Sequence, residues 1–236
     1  MSPSEILLDA KGHAISPIEI SERIIAFGDS YSDAIKEIIN NSKVLDNDGK
    51  VFIKCASRIL SNFGMTRSGP FHVNCNEKLR SCWNAVGANL KEINNSVRKS
   101  GLLRDRYILE LREREREELI AEIWLITKKL LPFTMGETSY GLVGASKILF
   151  SVLPEIVLPI DNVQWLHVFK TVDIGDVLHR MVFNIQKWEG ITGRQLNDLD
   201  HSKRLTTLPS VYNVMAMHAR PKTYEIEKNR ITTACS

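Results

Sequence analysis

Apolar positions along this chain recur at helical spacing almost throughout. Ser16-Pro17-Ile18-Glu19 carries the marks of a helix start: a capping hydroxyl, a proline at the first helical position and a glutamate three residues after the cap. From there Ile24, Phe27, Tyr31, Ile35 and Ile38 recur at intervals of three and four, which predicts one helix reaching residue 40. Turn-forming runs at 40–42 and 46–49 separate it from residues 50–63, a helix or a strand followed by a helix. After a loop over 64–76, residues 77–97 predict a helix with Leu79, Trp83, Val86 and Leu90 inward. Residues 102–131 form the longest periodic segment, with Leu103, Tyr107, Leu111, Leu119, Ile123, Ile126 and Leu130 mostly on one face. Its Arg/Glu run over 112–118 alternates in sign, the pattern of a solvated, self-paired helix face. Pro132 is expected to end that helix.

Beyond residue 132 the pattern shortens. Gly141 and Gly144 are expected to break the chain before an apolar run, Ile148, Leu149, Val152 and Leu153, which forms one face of a short buried helix. Lys147 falls in the first turn of that helix, and Pro154 and Pro159 close it. Residues 163–169 and 175–188 predict two more helices, 190–202 a polar turn region, and 208–218 a last helix opened by Pro209. Residues 1–15 read as a short helix or arm, and 221–236 as a tail. Strand signals are confined to Val51-Phe52-Ile53 and Ile156-Val157-Leu158. The expectation is a mainly α fold with few or no strands: a single helical domain over 1–220, with N-terminal helices to 100 and a second helical part from 101.

Composition narrows the field. A net charge of +3 gives no molecule-wide attraction to nucleic acid, so any basic surface has to be local. No apolar run approaches the ~20 residues of a membrane span, and residues 1–11 lack the basic-then-apolar order of a secretory signal. Cys55, Cys75, Cys82 and Cys235 show no CxxC pairing and no His or Cys at finger spacing, which predicts reduced core cysteines, no metal site and a cytoplasmic protein. His167 and His179 fall on amphipathic helices, where a structural partner is expected.

Two motifs carry candidate chemistry. Residues 24–33, Ile-Ile-Ala-Phe-Gly-Asp-Ser-Tyr-Ser-Asp, resemble the first block of the SGNH or GDSL hydrolases, and Asp198-Leu199-Asp200-His201 offers the Asp-x-x-His of their last block. That resemblance implies Ser30 as nucleophile, His201 as base and Asp198 as its orienter. The helical stripe through Gly28-Asp29-Ser30, and the lack of apolar strands for a parallel sheet, argue against it.

The second motif is Tyr140-Gly141-Leu142-Val143-Gly144-Ala145-Ser146-Lys147 followed by Pro159-Ile160-Asp161. It resembles the helix-hairpin-helix of the HhH-GPD superfamily of DNA glycosylases. Ser146-Lys147-Ile148-Leu149, Leu153-Pro154, Pro159-Ile160-Asp161 and Val163 are similar to the signature of prokaryotic proteins with an oxoguanine-glycosylase fold, over residues 120–220. The resemblance implies a double-stranded DNA partner, Lys147 as a Schiff-base nucleophile and Asp161 as its electrostatic or acid–base partner, with no metal or organic cofactor. It further implies backbone contacts to phosphate at Gly141, Gly144 and Ser146, and a flipped base against Trp165, Trp188 or Phe183. Arg194, Lys203, Arg204, Arg220 and Lys222 would track the phosphate backbone. The residues themselves leave other roles open: Lys147 can pair with Asp161 or Glu155 at a helix end, Asp161 can cap the next helix, and the same fold can serve as a non-catalytic interaction protein.

Overall fold

The computed structural model describes residues 5–27, 29–41 and 45–221, with the backbone alone at 29–31, 39 and 41. Ser16 opens α1 (Pro17–Ala26) by accepting the Glu19 amide at 3.2 Å, and Ile20 and Ile24 are buried. The single helix expected over 17–40 is two helices, because Phe27 is extended (ψ 133°) and α2 (Asp29–Asn41) starts afresh. The carbonyl freed at Phe27 accepts from the Arg204 guanidinium at 2.8 Å, so that acceptor is met. Gly28 and the side chain of Ser30 lie outside the described residues; the backbone at Ser30 is helical.

Next come α3 (Lys50–Asn62), which absorbs the strand candidate at 51–53, and α4 (Cys75–Lys99). The long helix expected over 102–131 also divides. A 3-10 turn (Arg104–Arg106) and the short α5 (Tyr107–Glu110) end at Leu111, where the chain is extended (ψ 142°). The alternating Arg/Glu run then heads α6 (Glu113–Thr134), with the Arg112 amide donating to the Glu115 carboxylate at 3.2 Å. Pro132 does not stop α6. It lies in the last turn, where it removes a single donor, and the helix ends instead at Met135 and Gly136, both at positive φ.

Thr138 accepts the Gly141 amide at 3.0 Å and so caps α7 (Ser139–Phe150). The two glycines therefore sit inside α7 and do not precede it, and Lys147 stands in its last turn. They let α7 close on α6. A Cβ at Gly141 would meet the Gly136 carbonyl oxygen at 2.0 Å, and one at Gly144 would meet the Thr134 Cβ at 2.9 Å. Thr134 adds a hydrogen bond to the Gly141 carbonyl at 2.8 Å. Gly141→Ala is expected to destabilise the protein by about 1–3 kcal/mol, as overpacking a tight helix contact does. A thermal melt checks this, and an unchanged midpoint would mean that the hairpin yields to a methyl group.

The strand candidate at 156–158 is an irregular, fully buried segment. A π-helical turn (Gln164–Phe169) leads to α8 (Ile174–Thr192), capped by Asp173 on the Gly175 amide at 2.6 Å. A 3-10 turn (Leu196–Leu199) and α9 (Leu208–His218), opened by Pro209, complete the described chain. The fold is mainly α. Among the described residues the only β feature is an isolated bridge between Leu8 and Ala14, so the parallel sheet required by a GDSL-type hydrolase has no counterpart there. Buried apolar side chains form one connected cluster from Ile6 to Ala216. No helix of the described residues is long and apolar enough to cross a membrane.

Arg106 ties the middle of the chain to its end. Its guanidinium donates to both oxygens of Glu189 (2.7 and 2.8 Å) and to the Asn197 side-chain Oδ1 (2.6 Å), and Glu189 also accepts the Leu196 amide at 2.8 Å.

Candidate functional site

Three segments bring charge together around the last turn of α7. Lys147 is 4% exposed, and its Nζ lies 4.3 Å from the centre of the Phe63 ring, which follows α3. The amine's pKa falls from 10.5 to about 8, chiefly because burial disfavours the ammonium form and further because Arg220 is cationic. Among the described residues no carboxylate pairs with it. Glu155, one of the partners expected for it, is buried against Arg104 instead.

Asp161 is held from two sides. Its backbone amide donates to Gln164 Oε1 at 2.8 Å, and the Gln164 amide donates back to Asp161 Oδ1 at 2.8 Å, a reciprocal capping box for the helical turn that follows. Its other oxygen, Oδ2, accepts from the Arg220 guanidinium, just beyond α9. The Gln164 side chain in turn donates to Asn213 of α9 at 2.8 Å, fixing the cap to the core. Ser146 donates to the Ile160 carbonyl at 3.2 Å, which joins α7 to the segment carrying Asp161. Arg220 thus acts on both residues, on the buried Lys147 amine through its charge and on Asp161 through a partly buried ion pair.

Several expected site residues do not join this cluster. Gly141 and Gly144 are buried in the α6–α7 contact and Ser146 is buried on the Ile160 carbonyl, so none of them can meet a phosphate. Trp165 and Trp188 are core side chains, 1% and 0% exposed, and Trp188 donates to the Ile15 carbonyl at 2.8 Å; neither offers a face to a flipped base. Arg204 is committed to Phe27, and its own amide is held by Asp200 at 2.8 Å. Arg194 and Lys203 are exposed on the turns between α8 and α9, whereas Phe183 is half exposed on α8. His179 meets Glu117 at 3.4 Å. His201 is exposed and lines a shallow groove with Pro17, Ile18 and Ile25 of α1. Lys222 and Cys235 lie outside the described residues.

Cys55 and Cys82 are buried free thiols that burial pushes up to about 12, and Cys75 is raised for the same reason. No group of three or more His, Cys, Asp or Glu side chains among the described residues could hold a metal ion. Phe63 is the site residue that the sequence did not single out. It is the last apolar position of the α3 stripe, but nothing local shows that it faces α7. Comparison with protein-family models, characterised proteins and solved structures gave no match.

Proposed function

We propose that this protein binds DNA and acts as a base-excision glycosylase and lyase, with Lys147 as the nucleophile and Asp161 as its electrostatic partner. The observation that carries the reading is the buried Lys147 amine, free of any carboxylate partner among the described residues and adjacent to the Arg220–Asp161 pair. An amine that titrates near 8 is available as the neutral nucleophile close to neutral pH. At an abasic site it condenses with the C1′ aldehyde: the C–N bond forms, water leaves, and the product is an iminium. Asp161, once Arg220 moves aside, supplies the negative charge that balances it. Phe63 covers the amine and must shift for a nucleotide to reach it. The free thiols of Cys55, Cys75 and Cys82 accord with a cytoplasmic setting.

Borohydride trapping on DNA containing an abasic site tests this directly, because hydride reduces the iminium to a stable secondary amine. The wild type is expected to give a covalent protein–DNA band whose yield rises with pH to about 8 and then levels, and Lys147→Met to give none. A second reading, a non-catalytic interaction protein of the same fold, is favoured by one observation: Asp161 is already engaged as a helix cap and as the partner of Arg220. Absence of a band from a folded wild type at every pH selects it.

A further inference from the structure

On α3 the exposed cations Lys50, Lys54 and Arg58 stand four residues apart, one helix stripe spanning about 12 Å. Together with Arg80 of α4 they line a groove of about 610 Å³ between the two helices. Its one carboxylate is Glu37 of α2, which accepts from Arg58 Nε at 2.8 Å and holds that guanidinium in place. Lys50 meets Asp48 at 3.3 Å in a pair so exposed that it contributes little. Arg80 has no partner among the described residues. Between the cations stand Ser57, Ser61 and Asn76, whose hydroxyl and amide groups are donors of the kind that phosphate oxygens accept.

One helix carries both the cation stripe and Phe63, the ring beside Lys147. At the far end of α4 the groove against α5 and α6 has the opposite sign, with Glu92, Glu110, Glu115, Glu118 and Glu122 facing a single Arg112. A polyanion is attracted to one end of α4 and repelled from the other.

We infer that the α3–α4 groove seats the phosphate backbone of DNA. The inference rests on the DNA-binding reading above and names a different surface from the basic residues near the C-terminal end. A 12 Å stripe matches three or four phosphates of one strand, at about 3.4 Å of helix axis each.

The test is the salt dependence of binding to a fluorescein-labelled, undamaged DNA duplex, followed by anisotropy between about 50 and 200 mM salt. Wild type is compared with Lys50→Gln/Lys54→Gln/Arg80→Gln and with a control of equal charge change, Lys11→Gln/Lys99→Gln/Lys170→Gln, all six positions being exposed. The groove variant is expected to flatten the log–log salt slope by about 2.7, or 0.9 for each lost contact, with the control unchanged. If the triple variant does not fold, Arg80→Gln alone replaces it, with an expected loss of about 0.9. Equal slopes for groove and control variants overturn the groove while DNA binding stands. No binding by the wild type at low salt overturns the DNA reading and the groove with it.

Discussion

Arg106→Met is expected to remove about 3–5 kcal/mol of folding stability, the usual cost of stripping one partner from a buried ion pair. The arginine side chain is 10% exposed and that of Glu189 16%, so water cannot replace what is lost. Two guanidinium bonds to Glu189 and one to Asn197 vanish together, and the Glu189 carboxylate keeps only the Leu196 amide. The same variant cuts the chain's main cross-tie between the segment before α5 and the end of α8. Urea denaturation of Arg106→Met, Glu189→Met and the double variant gives the coupling directly. The double variant is expected to recover much of the loss, because it leaves no unpaired charge behind. A loss below 1 kcal/mol for Arg106→Met alone would show that the site opens to solvent.

Lys147→Met is expected to act in the opposite direction and to raise stability at pH 7 by roughly 1–3 kcal/mol. The folded amine gives up its proton at about 8, and the unfolded one at 10.5. Between those values the unfolded state holds one more proton, so the wild type gains on the variant as pH rises, by about 1.4 kcal/mol per unit. Below pH 8 the lysine therefore costs its full amount, about 3 kcal/mol, less the ~0.5–2 kcal/mol returned by the Phe63 ring. Above 10.5 that cost is gone. Cys55 and Cys82, pushed up to about 12 in the folded protein, also make stability depend on pH here, but identically in both proteins, so they cancel. The measurement is the difference in urea stability between wild type and variant at pH 7 and at pH 10. A buried residue that lowers stability is one retained for another purpose. If methionine is the less stable side chain at pH 7, the ammonium is held by its surroundings and Lys147 is a structural residue.

What the sequence revealed follows the range of the forces involved. Helix starts were legible at Ser16 and at Asp161, because a cap and its amide lie within three residues of each other, and at α9 from Pro209 in its first turn. The breaks at Phe27 and Leu111 were not. At Phe27 the stripe of apolar positions continues unbroken, and the donor that accepts the interruption, Arg204, lies 177 residues away. Gly141 and Gly144 have the same spacing whether they face a phosphate or another helix. Only the position of Thr134 and Gly136 decides between the two. The short motif names Lys147 and Asp161 but not the residue that acts on both. Arg220, read as a phosphate contact, proved to be the residue that links them. Phe63, which fixes the amine's surroundings, stands 84 positions before it in the chain.

The N-terminal segment of the described chain is joined to the region from α8 to the loop before α9 by contacts of long sequence separation. Ser21 and Ser32 donate to the carbonyls of Leu199 and Arg204, and Lys187 reaches back to Glu5. Each contact closes a loop of about 170–180 residues, and contacts of such separation slow folding because the entropy of closure precedes any reward. On a ribosome, α1 therefore waits for these partners until the chain past residue 199 has emerged, whereas α2 can pair with α3, and α6 with α7, as soon as their short loops are made. Arg220, whose charge helps hold the Lys147 amine below its ordinary pKa, emerges later still. That part of the amine's altered proton affinity is among the last properties the molecule acquires.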